Sequence, residues 1–97
     1  MNPTIGRIVH YTLDAGDVQL VSETRRSTAG VIGAPRGNSV SVGDVYPMLI
    51  TRVWDGGKPN PDAMVNGQVF LDGNDSLWVT SVKVGEGPRT FAWQGRA

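Results

Sequence analysis

The sequence predicts a mainly β domain, a small SH3-like or OB-like antiparallel barrel of about five strands with one helix inserted after the first. Three observations lead there. Short runs rich in β-branched and aromatic residues recur along the chain. Thirteen glycines and six prolines fall largely between those runs, where turns belong. Only one stretch carries helix signals. Consecutive hairpins favour antiparallel pairing, and closing the sheet into a barrel removes exposed edges.

The first strand is expected over residues 5–12, IGRIVHYT, with Ile8 and His10 on one side and Arg7, Val9 and Tyr11 on the other. The helix is expected over residues 14–26. Asp14 can accept from a free N–H at its start, Asp17 suits the positive end of the dipole, and Arg25 and Arg26 fall near the other end. Val18 and Val21 make only a thin apolar stripe, and Gly16 weakens the first turn.

Residues 27–43, STAGVIGAPRGNSVSVG, form a long small-residue segment. It reads either as a mobile surface loop or as a loop that orders over a ligand. The strongest strand covers residues 45–54, VYPMLITRVW. Pro47 lacks a donor and marks an edge or a bulge there. The preceding Gly43-Asp44 resembles the turn that enters a barrel strand in SH3-like folds. DGGKPNPD is a turn by composition. Residues 64–71 and 77–84 read as a hairpin around the DGND turn, with Phe70 facing Trp78. GEGPR turns again before a short last strand at residues 90–93.

The 97 residues fit one domain, with residues 14–43 as the insertion. Nine basic residues balance nine acidic ones, which argues against a polybasic nucleic-acid binder and an anionic-membrane binder. A net charge near zero favours self-association, so a homo-oligomer is expected. The absence of cysteine excludes disulfides and thiolate zinc sites. No run is apolar enough to span a membrane, and the first residues lack the pattern of a signal peptide.

Catalytic chemistry finds little support, and no cofactor is expected. The single histidine, His10, has no triad partner or second imidazole nearby in sequence. Seven aspartates invite a metal reading, but DGND has its glycine in the wrong place for a calcium loop. GVIGAPRG contains neither GxGxxG nor a Walker pattern. The aromatic residues Tyr11, Tyr46, Trp54, Phe70, Trp78, Phe91 and Trp93 say more. Most must build the core. Yet three tryptophans with Arg7, Arg52 and Arg89 on strands or hairpin ends are the materials of a nucleotide site: a base stacks on an aromatic face, and Arg grips phosphate.

The strings GRIVHYTL, GDVYPMLITRVW and VNGQVFLDGNDSLWVTSVKVGEGPRTFAW resemble a group of small uncharacterised proteins of tailed bacteriophages. The resemblance covers about two thirds of the chain and leaves residues 14–38 as the variable part. Where such proteins often end in a Trp-Pro-Pro-Arg tail, this chain has Trp93-Gln94-Gly95-Arg96. The resemblance implies an accessory protein in the cytoplasm of an infected host that sequesters a nucleotide-derived immune signal as an anti-defence sponge. Its ligand-binding residues would be Tyr11, Trp78 and Trp93 for stacking, Arg7, Arg52 and Arg89 for phosphate, and His10 as a hydrogen-bond donor. The alternative is a protein-interaction module, either a virion accessory or an inhibitor of a host protein, with no small ligand. A nucleotide hydrolase using His10 and an OB-like nucleic-acid binder rank behind both.

Overall fold

The computed structural model describes residues 1–94. Its elements run β1 (Ile8–Thr12), α1 (Ala15–Ser27), β2 (Val45–Trp54), β3 (Met64–Phe70), β4 (Ser76–Val84) and β5 (Thr90–Ala92). The strands close into a barrel in the order β1-β2-β3-β4-β5. β1 to β4 form an antiparallel meander and β5 returns to pair with β1, closer to the SH3-like expectation than to the Greek key of an OB barrel, although the barrel is not antiparallel throughout as expected, because β5 runs parallel to β4. The first strand begins later than expected, because residues 5–7 form a turn ahead of it.

Alternation decides which residues fill the barrel. Val9 and Tyr11 of β1, Met48 and Ile50 of β2, Val65 and Val69 of β3, Leu77, Val79 and Val82 of β4, and Phe91 of β5 all point inward and are buried. Gly67 also faces inward. A Cβ there would lie 2.7 Å from Met48 Sδ, so the glycine is what lets Met48 lie across the core.

Two bulges give the short strands their curvature. The register shifts between Ile50 and Arg52 on β2, and between Val65 and Gly67 where β3 meets β4. An extra residue on one strand leaves a backbone donor without its ladder partner. At the second bulge Ser81 takes φ 55°, and its N–H donates to the Asn66 side chain at 2.9 Å. Pro47 is not at a bulge. It pairs with His10 on β1, but the β2–β3 pairing starts only at Met48, so Pro47 withholds no donor from β3.

β5 lies parallel to β4, with Lys83 opposite Thr90 and Val84 opposite Phe91, and closes the barrel by pairing antiparallel with β1, Ala92 opposite His10 and Phe91 opposite Tyr11. Parallel neighbours ordinarily need a long crossover. Here residues 85–89 suffice, because Gly87 and Arg89 both adopt positive φ, at 95° and 61°.

Helix α1 sits at the end of the barrel where β1 stops and β4 starts. Its start is a reciprocal cap: the Asp17 N–H donates to Asp14 Oδ1 at 2.8 Å, and the Asp14 N–H donates to Asp17 Oδ2 at 3.0 Å. Val21 enters the core cluster, and Val18 packs against it. That thin stripe is enough because Tyr11 reaches the same place: its hydroxyl donates to Asp17 Oδ2 at 2.6 Å. Burial first, and then this bond to Asp17, push the Tyr11 phenol far above its ordinary pKa, so it stays a donor.

The 27–43 segment has no strand of its own beyond a single bridge between Gly37 and Gly73. Its base is nonetheless pinned to the β3–β4 turn. Asn38 N–H donates to the Asp72 carbonyl at 2.8 Å, Asn74 N–H to the Arg36 carbonyl at 2.8 Å, and the Asn38 amide to Asp72 Oδ2 at 2.7 Å. Gly37 and Gly73 touch so closely that a Cβ on either would overlap backbone atoms of the other side. The tip at Val31 and Ile32 is exposed.

Candidate functional site

A concavity lies between α1 and the β3–β4 hairpin. It is a cleft of about 340 Å³ with walls from Leu20, Thr24, Pro35 and Trp78 and a floor from Val21, Leu71 and Leu77. The floor residues belong to the core cluster. Leu20 is 53 % exposed and Trp78 is 56 % exposed, so both present apolar surface to whatever enters.

An ion pair holds the two walls together. Arg25 donates through Nε to Asp75 Oδ2 and through Nη2 to Asp75 Oδ1, both at 2.9 Å, and through Nη1 to the Asn38 carbonyl at 2.7 Å. The hydrogen bonds from Arg25 hold the Asp75 carboxyl below the usual carboxylate range, and the same bonds raise Arg25. One bidentate pair therefore ties helix, loop and hairpin into a preformed site. It also uses up the charge at the cleft, since Asp75 already has its partner.

The expected site residues do not converge. Tyr11 is a correction: it is fully buried and bound to Asp17, so no base can stack on it. Trp93 lies edge-on to Phe91, with ring centroids 5.9 Å apart, and Arg7 covers it at 5.3 Å from the ring centre. Arg52 lies 4.0 Å over the ring of Trp54, a tryptophan not singled out from the sequence. Arg89 approaches Asp17 at 3.8 Å and donates to the Thr80 carbonyl at 3.1 Å. His10 is exposed on β1, paired with Pro47 and Ala92. Only Trp78 belongs to the cleft. The expected facing of Phe70 and Trp78 is also corrected: Phe70 pairs with Ser76 and Trp78 with Gln68, so the two aromatics are diagonal neighbours on the outer face. The departure from a Trp-Pro-Pro-Arg tail falls partly outside the described residues.

Leu20, Pro35 and the Arg25–Asp75 pair were not apparent in the sequence as site residues. The usable signal was Leu20, an apolar residue off the Val18–Val21 stripe of a helix. Among the described residues no group of three or more His, Cys, Asp or Glu side chains could hold a metal ion, and no helix is long and apolar enough to cross a membrane. Compared with protein-family models, curated proteins and solved structures, the chain matches none.

Proposed function

We propose that the chain is a binding module that recognises another protein by taking an apolar side chain into the cleft between α1 and the β3–β4 hairpin. The observation that carries this reading is the chemistry of the cleft. Its floor and most of its walls are apolar, and its one carboxylate is already paired with Arg25. A phosphate would find no free guanidinium there, and its desolvation would go uncompensated. A leucine, proline or aromatic side chain would lose only water, and Thr24 and Ser76 at the rim can hold its backbone.

A second reading rests on Trp78 alone. Its exposed indole in the cleft offers a stacking face for a planar base, which keeps sequestration of a nucleotide-derived signal in contention. Arg7, Arg52 and Arg89 would then act only if other chains brought them near.

Selection of a random peptide display library separates the two. Enriched peptides should share an apolar anchor and lose binding to Leu20→Glu and Trp78→Ala variants. Thermal melting against cyclic di- and trinucleotides and cyclic ADP-ribose isomers should stay flat. No enriched peptide, together with a clear upward shift for one nucleotide, would overturn the protein-partner reading. A ligand at about a hundred times its Kd adds roughly 2.7 kcal/mol, an unmistakable shift for a small domain.

A further inference from the structure

The barrel is closed, yet half of β4 has a strand on one side only. Ser76 to Val79 pair with β3, while β5 meets β4 only at Lys83 and Val84. The side of Ser76–Val79 turned away from β3 is therefore an open edge. The cleft lies along it: Ser76, Leu77 and Trp78 form one wall, and Leu20, Val21 and Thr24 of α1 stand across.

The register shows which backbone groups that edge offers. The β3–β4 hairpin starts with the Leu71 N–H donating to the Asp75 carbonyl at 3.4 Å. Antiparallel partners alternate between bonded and unbonded pairs. Counted from there, Leu77 bonds Val69 and Val79 bonds Gly67, whereas Ser76 and Trp78 turn their N–H and C=O groups away from β3. Thr80 agrees with this phase, since its carbonyl is taken from the far side by Arg89 Nη2 at 3.1 Å. Among the described residues no side chain and no loop backbone bonds the N–H or C=O of Ser76 or Trp78.

We propose that the partner enters the cleft as an extended segment that adds a strand to β4, between β4 and α1. This rests on the protein-partner reading of the cleft and specifies the backbone form of that partner. Two donors and two acceptors lie two residues apart, roughly 7 Å along the strand, which is the repeat of an extended chain. A helix satisfies its own backbone and would leave these groups unmatched. Strand addition matches them and leaves specificity to alternate side chains. Here Leu77 and Val79 point inward and Ser76 and Trp78 outward. The partner side chain set beside Leu77 would therefore point to the apolar floor of Val21 and Leu71, and its neighbours would lie outward, one of them along the Trp78 ring. The Arg25–Asp75 pair bounds the open edge at one end and the Arg89–Thr80 bond at the other, so only a short strand fits.

Amide exchange in the free chain, followed by NMR, tests the edge itself. Ser76 and Trp78 should exchange about tenfold or more faster than Leu77 and Val79. Equal protection at all four would overturn the inference. The most enriched display peptide, synthesised with capped ends, then tests the occupant. Methylating its backbone nitrogens one at a time should weaken binding about five- to tenfold at alternate positions and leave the positions between unchanged. Ser76→Pro removes an edge donor without removing a ladder donor, and should weaken the same peptide similarly while Ser76→Ala binds like the parent. A peptide that needs Leu20 but tolerates every methyl group leaves the protein-partner reading standing and overturns the added strand. A display that enriches nothing overturns both.

Discussion

Trp54 and Trp78 sit at opposite ends of the same barrel, both about half exposed, yet they do different work. Trp54 is spent on structure. Its Nε1 donates to Asn66 Oδ1 at 2.9 Å, and Arg52 covers one face of its ring. Asn66 Oδ1 also accepts from Thr80 Oγ1 at 2.8 Å and from the Ser81 N–H, so one buried amide organises both bulges and the tryptophan lid. Trp78 makes no hydrogen bond among the described residues and borders a cleft. An aromatic residue whose polar atom and ring faces are already matched is architecture; one left unmatched beside a preformed concavity is available for recognition.

The largest expected break in that comparison comes from Asn66→Ala. It removes the shared acceptor of the Ser81 N–H and of the Thr80 and Trp54 donors, which are part-buried, and a fully buried orphan of this kind costs about 1–3 kcal/mol, so together they approach the cost of one or two. Urea denaturation should show a loss of about 3 kcal/mol. A loss under about 1 kcal/mol would mean that water reaches the bulges and that this end is as open as the other.

Gly73→Ala comes next. Its methyl group would meet the Arg36 carbonyl, and overpacking of that kind costs about 1–3 kcal/mol. The loop base should loosen first, seen as faster hydrogen exchange at Asn38 and Asn74 while β1 and β2 stay protected. Uniform acceleration would show that the loop and the barrel unfold as one.

The Arg25–Asp75 pair sharpens the comparison through pH. Asp75 has its folded-state pKa depressed, so its contribution is full above the unfolded value, about 3.9, and fades as pH falls through the folded one. Asp75→Asn should therefore cost about 1–2 kcal/mol at neutral pH and progressively less below about pH 4. A gap between parent and variant that widens in acid would contradict the assignment.

The smallest effect on stability belongs to Trp78→Ala, below about 1 kcal/mol because the ring is more exposed than buried. Its effect on binding should be the largest. Acrylamide should quench the parent's tryptophan emission more than that of Trp78→Ala, and a bound peptide should suppress the difference. Quenching equal in the two proteins would mean that Trp78 is shielded in solution.

Much of this fold could be read in advance. The extents of β2, β3 and β4 followed from their β-branched and aromatic runs to within a residue, and Asp14 announced the helix start, but the inward face did not, because bulges interrupt the alternation on β2 and β4. Other features could not be read. Period-two alternation says that Val9 and Tyr11 share a side, but not that this side is the interior. Once the barrel closes, Tyr11 becomes a core residue with a buried partner in Asp17, six positions away and on another element. The Phe70–Trp78 pairing failed for a related reason: hairpin register is set by the turn, and a shift of two positions turns a facing pair into a diagonal one.

The sequence by itself determined the element types, their order, the neutral charge and the absence of thiols, because each depends on local propensity or composition. The tertiary structure alone decided which tryptophan is left free, where the arginines go and which surface is bare. Those depend on contacts such as Arg25 with Asp75 and Gly37 with Gly73, which join residues far apart in the chain. No local pattern encodes a partner fifty positions away; closure of the barrel brings it within reach.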